Sequence, residues 1–123
     1  MYFIRKLFAA QVIAVDFDGV LCRNGWPRIG KAHVGIIVLL RTLRGCGKKL
    51  ILYTCREGDL LREAVDWCKA HGLEFDAVNE NLPERIALYG GDCRKISADA
   101  YLDDLAIPVW GGRIGGGGKR GTA

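Results

Sequence analysis

No stretch of this 123-residue chain approaches the roughly 18 consecutive apolar residues of a membrane span, and its opening, Met1-Tyr2-Phe3-Ile4-Arg5-Lys6-Leu7-Phe8, scatters charge among the apolar residues. A soluble, unexported, cytoplasmic protein is expected. The chain also lacks any C-x-x-C pair. Its five cysteines, Cys22, Cys46, Cys55, Cys68 and Cys93, form an odd set that suggests neither a disulfide framework nor a zinc knuckle. Histidine is scarce, and neither His33 nor His71 has companions that would make a site. Internal repeats are absent. Of the net charge of +4, three units come from Arg113, Lys119 and Arg120, which leaves the rest of the chain at +1. Three charges give little counterion release, so the tail alone is a weak signal for nucleic acid.

Half of the residues are apolar, enough for one modest domain over residues 1–110 and too few for a second. Residues 111–123 contain seven glycines and read as a flexible basic tail.

The run Val12-Ile13-Ala14-Val15 ends in Asp16-Phe17-Asp18-Gly19. Four aliphatic residues in a row predict a strand buried on both faces. Residues two apart on an extended chain face the same way, so Asp16 and Asp18 share a site. Two carboxylates at one strand end repel each other, an arrangement that makes sense if they share a cation or a proton.

Further along, Cys22 to Gly30 is rich in turn residues and reads as a loop. Val34, Ile37, Leu40 and Leu43 predict a helix that stops at Gly45-Cys46-Gly47. Leu50-Ile51-Leu52-Tyr53 predicts a second strand, running into Thr54-Cys55-Arg56. Leu60, Leu61, Ala64, Val65 and Cys68 share one face of a second helix, with Asp59 as N-cap and Gly72 as the stop after His71. Phe75 to Val78 predicts a third strand, Pro83 to Tyr89 a short helix, Ala100 to Leu102 a fourth strand, and Ile107 to Trp110 a candidate fifth. Strands alternating with helices predict a three-layer α/β/α, Rossmann-like domain with a mainly parallel sheet of about five strands. In such sheets the site lies beyond the carboxyl ends of the strands, where Asp16, Asp18, Thr54, Asp103 and Asp104 all fall.

Four carboxylates, a hydroxyl and Lys95, eight residues before Asp103, make a set suited to Mg²⁺ and phosphate. An acidic pocket alone would repel a phosphate, so the metal and Lys95 are what admit an anionic substrate. In this order, D-F-D-G-V-L, a strand-ending Thr54, Lys95 and Asp103-Asp104 resemble the four motifs of the haloacid dehalogenase superfamily of aspartyl-phosphate phosphohydrolases. The likeness covers most of residues 12–105. It implies that Asp16 is the nucleophile, Asp18 the general acid and then base, Thr54 a donor to a phosphoryl oxygen, and Lys95 an orienting cation. It further implies that Asp16, Asp103 and Asp104 hold Mg²⁺, with Asp18 adding its backbone carbonyl.

Members of that superfamily often insert a cap domain after the first motif or between the third strand and the lysine. Here those intervals are about a dozen and sixteen residues, so the chain resembles a small capless phosphatase with an open site. Its Ile96 stands where proline is common in that subgroup. The substrate would be a phosphorylated small metabolite, a sugar phosphate, a nucleotide or a nucleic-acid end, and homo-oligomerisation is to be tested.

Arg56 is a candidate for the phosphate or the leaving group, against a surface salt bridge to Glu57 or Asp59. Asn79 and Asn81 follow the third strand and face the same end; both are candidates for a site role, Asn79 as a substrate contact, against loop-capping hydrogen bonds. Trp26 is a candidate apolar wall over the site, against packing on the domain edge. A response-regulator receiver uses similar groups, yet in a different order along the chain. An inactive binding or assembly module remains the alternative to a phosphomonoesterase.

Overall fold

The computed structural model describes residues 2–107. It begins with a helix that the sequence did not announce, α1 (Tyr2–Ala9), which inserts Leu7 and the following Ala10 into the core. Then come β1 (Val12–Val15), β2 (Cys22–Gly25), β3 (Arg28–Ala32), α2 (Val34–Gly45), β4 (Lys49–Leu52), α3 (Gly58–Ala70), β5 (Ala77–Val78), α4 (Pro83–Tyr89) and β6 (Ala100–Leu102).

Four strands form a parallel sheet in the order β5-β4-β1-β6. The chain therefore steps outward from β1 to β4 to β5 and then crosses to the other flank of β1. That reversal leaves a crevice beyond the carboxyl ends of β1 and β6, the place where open α/β sheets bind ligands. The register puts Val15 beside both Leu52 and Leu102, so Asp16, Tyr53 and Asp103 emerge together.

Alternate residues of the strands face opposite sides. Ile13, Val15, Leu50 and Leu52 enter the larger core, where they meet Ile37, Leu40 and Leu43 of α2 and Ala64 and Cys68 of α3. Val12, Ala14 and Ile51 enter a smaller one with Leu82 and Ile96. The second layer is thin, because α4 itself buries no residue and the covering side chains come from the segments before and after it. The fold is thus α/β and Rossmann-like, with a mainly parallel sheet that has four strands among the described residues. Within the candidate fifth strand, Ile107 is not extended into a ladder and residues 108–110 lie outside the described residues, as does the glycine-rich tail 111–123.

Two local expectations need correction. The segment from Cys22 is an antiparallel hairpin turning at Trp26-Pro27, not a loop. Its strands are mostly exposed and polar, so no hydrophobic alternation marks them. Helix α3 begins two residues earlier than expected, so its N-cap is Glu57 and Asp59 sits inside the first turn, paired with Arg62. There its charge still complements the amino end of the helix. His71 closes α3, with Nδ1 2.8 Å from the Trp67 carbonyl, and Gly72 follows at φ +77.

Candidate functional site

Asp16 follows β1, and Asp103 and Asp104 follow β6, its neighbour in the sheet. Their carboxylates converge, with one oxygen from each lying within 4.8 Å of the others. Two features of the chain make this possible. Parallel pairing of β1 with β6 brings the two strand ends to one level, and the Asp16 N–H donates to the Leu102 carbonyl at 2.9 Å. Gly19, at φ +89, supplies the second, because a Cβ there would collide with the Asp104 carboxylate.

Burial pushes the Asp16 carboxyl up from 3.8 to about 6, with the charges of Asp103, Asp104 and Asp18 adding to the rise and the Phe17 N–H opposing it. Three hard oxygen donors in an incomplete, partly exposed cage could hold a metal ion, and donors of this kind suit a hard cation that keeps part of its water shell.

Beside this cluster lies a cleft of about 370 Å³ lined by Ala14, Asp16, Tyr53, Lys95, Tyr101 and Asp103, among others. Lys95 therefore shares a space with Asp16, and its Nζ lies 5.5 Å from the centre of the Tyr101 ring. The lysine sits on irregular backbone, and behind it Asn81, a candidate for a site role or for loop capping, takes the capping part. Asn81, 3% exposed, donates to Asp92 Oδ1 at 2.8 Å and to the Cys93 carbonyl at 3.2 Å, and accepts from the Ser97 N–H at 2.6 Å. An amide saturated in this way fixes both ends of the segment carrying Lys95.

Asp18 is set apart from the metal cluster. Its carboxylate is gripped by Arg56, with Nε 2.9 Å from Oδ2 and Nη2 2.8 Å from Oδ1. The same guanidinium donates to the carbonyls of Pro27 and Arg28, both at 3.1 Å, and lies 5.0 Å above the Phe17 ring. Asp18 in turn raises the Arg56 pKa above its ordinary value, chiefly by hydrogen bonding, against the lowering effect of burial. Neither expectation for Arg56 is met. It has no exposed side-chain surface with which to touch a substrate, and it pairs with Asp18 rather than with Glu57 or Asp59.

Thr54 lies just beyond β4. Its Oγ1 accepts from the Arg56 N–H at 3.1 Å, which leaves the hydroxyl proton to be donated elsewhere. Asn79 braces this turn. It adopts φ 52, accepts from the Thr54 N–H at 2.8 Å and sits with Nδ2 3.5 Å from the Arg56 carbonyl, the loop-capping role and not a place on the cleft wall. Trp26 is exposed at the hairpin turn and is not among the residues lining the cleft beside Asp16. All five cysteines are free, with Cys22 and Cys68 buried.

Among the described residues no helix is long and apolar enough to cross a membrane. The two intervals that could have carried an inserted domain hold the β2–β3 hairpin and α4.

No protein-family model matches the chain, and no curated protein does. A solved structure, that of a conserved protein coded by a locus from Bacteroides thetaiotaomicron, superposes with a TM-score of 0.71 and is 44% identical in sequence. The match covers 83% of this chain and 84% of that one. Identity of this order over most of both chains goes well beyond a shared fold, and the chain belongs to the same family as that conserved Bacteroides thetaiotaomicron protein.

Proposed function

We propose that the chain is a magnesium-dependent phosphomonoesterase of the haloacid dehalogenase type, acting in the cytoplasm through an aspartyl-phosphate intermediate. The observation that carries this is the convergence of Asp16, Asp103 and Asp104 at the crevice between β1 and β6, with Lys95 on the adjoining cleft. Asp16, Asp103 and Asp104 would hold the metal, together with the Asp18 backbone carbonyl. When bound, magnesium would neutralise these carboxylates and offset charge on a phosphoryl oxygen.

The residues divide the work. A carboxylate oxygen of Asp16 attacks phosphorus in line, so that an O–P bond forms as the bond from phosphorus to the leaving oxygen breaks. Asp18 gives a proton to that leaving oxygen. In the second half a water attacks phosphorus, Asp18 takes its proton, and the bond to Asp16 breaks to release inorganic phosphate. The Thr54 hydroxyl and the Lys95 ammonium bind phosphoryl oxygens and offset their growing charge. Arg56 and Asn79 support these groups from behind, and Trp26 has no part in the phosphoryl site.

The substrate is a phosphate ester whose bulk stays outside the small cleft. The test is release of phosphate from an aryl phosphate and from a panel of sugar phosphates, mononucleotides and phosphorylated oligonucleotides, with and without Mg²⁺. Metal-dependent turnover that Asp16→Asn abolishes, by a factor of roughly 10⁴ or more, supports the assignment. Absence of turnover across the panel, by a folded protein saturated with Mg²⁺, would sink it in favour of a binding module.

A further inference from the structure

A guanidinium without exposed surface needs every partner it has, because a buried charge is tolerated only when it is paired and hydrogen-bonded. Arg56 uses four of its five N–H donors, two on Asp18 and two on the carbonyls of Pro27 and Arg28. These partners come from separate places, the loop after β1 and the turn of the β2–β3 hairpin. The arginine itself comes from a third, the loop after β4. The face of Phe17 limits rotation of the guanidinium plane. Neither the Asp18 carboxylate nor the hairpin turn can shift alone without leaving the cation short of acceptors.

We propose that Arg56 is a positioning residue that fixes the plane of the Asp18 carboxylate and ties it to the β2–β3 hairpin, so that the proton-transfer group and the hairpin beside it hold their places together. This rests on the phosphohydrolase assignment above. Each Asp18 oxygen gives one lone pair to Arg56 and keeps another, through which a proton passes to or from the reacting oxygen. The bidentate grip decides where those remaining lone pairs point. Lysine keeps the charge but, as a single ammonium, cannot hold the plane.

The dependence on leaving group separates positioning from general structural support. A nitrophenolate departs with little need of a proton, whereas an alkoxide needs one in the transition state. In Arg56→Lys and Arg56→Gln, kcat for an alkyl phosphate is expected to fall at least about ten-fold further than kcat for p-nitrophenyl phosphate, with KM little changed. Amides of residues 22–32 are expected to exchange with solvent faster than in the wild type. An equal fall for both esters, or a raised KM with kcat retained, overturns the proposal, the first indicating general loss of structure and the second a substrate ligand.

Thermal melting checks that the variants fold. Asp18→Asn, which keeps the shape of the site and the arginine, supplies a second variant read by hairpin exchange alone. Faster exchange supports the tie and unchanged exchange overturns it. Should the wild-type protein release phosphate from neither ester, the phosphohydrolase assignment fails by itself, and hairpin exchange in the same variants decides the tie separately.

Discussion

Gly19 and Asp104 are separated by most of the chain, yet the space where a Gly19 side chain would stand is filled by the Asp104 carboxylate. The glycine after the first acidic pair thus has two tasks, to adopt φ +89 and to let a carboxylate from β6 reach the cluster. Gly19→Ala is expected to weaken Mg²⁺ binding by on the order of ten-fold, in the range seen when supports of metal ligands are removed. Strain at positive φ should also destabilise the fold by about 1 kcal/mol. Isothermal titration with Mg²⁺ and thermal melting measure the two effects, and unaltered affinity would show that Asp104 is not a ligand.

On the proposed metal site, protons and the cation would compete for Asp16. Its folded value of about 6 lies above the ordinary 3.8, so between those values the folded state binds more protons than the unfolded one. Without metal, its contribution to stability is greatest below about pH 4, declines as pH rises through that window, and is lost above about 6. A cation bound there would offset both the burial of the charge, which is the larger cause of the loss, and the repulsion from Asp103, Asp104 and Asp18. The rise in Tm on adding Mg²⁺ should therefore be larger at pH 7.5 than at pH 5. Equal rises at both values would mean that Asp16 is not where the cation binds.

Asp99 has the opposite sign. Burial raises it, but hydrogen bonds from the Val12 and Gln11 N–H groups, together with Arg85, outweigh this and leave it below 3.8. Its contribution is present above that value and is lost as pH falls through its lowered one. Because Asp99 Oδ2 holds both N–H groups at 3.0 Å where the chain enters β1, Asp99→Ala should cost about 1–2 kcal/mol at pH 7. The lower part of that range applies, since the carboxylate is 40% exposed. Urea denaturation at pH 7 and pH 3 should show the gap between the two proteins shrinking in acid.

The strands and the acidic cluster were legible because both are local. Short aliphatic runs such as Val12 to Val15 and Leu50 to Leu52 announce buried strands, and Asp16 and Asp103 sit one residue past their ends. The pairing of Arg56 with Asp18 spans 38 residues and depends on a hairpin whose exposed strands carry no periodic pattern, so nothing nearby in sequence betrays it. Asn79 was legible only as an alternative, since its capping bond depends on a positive φ. Helix α1 carries no clear signal because its apolar residues are interrupted by charge and, from Phe3 to Ala9, Leu7 is the one that is deeply buried.

Asn81→Ala removes an amide that holds Asp92, Cys93 and Ser97, and leaves the Ser97 N–H without that acceptor. A cost of about 2 kcal/mol in stability is expected, together with a fall in kcat of on the order of ten-fold as Lys95 loses its fixed place. Chemical denaturation and steady-state kinetics read these separately. Loss of stability with full kcat would show that Lys95 keeps its position by other means.

The bond from the Ser97 N–H to Asn81 spans 16 residues and closes the neck of the excursion that contains α4. Everything between Leu82 and Ile96 is thereby pinned at its base, and α4, which starts beside the neck and is tied to it by Arg85 on Ser97 and Asp99, buries no residue of its own. Closing a loop of a few more residues adds little entropy, so this excursion can lengthen or change sequence while its base stays fixed. With the neck and Arg85 holding the base, the stretch beyond Arg85 is an exchangeable part, a position where a different surface can be spliced beside an unchanged candidate site.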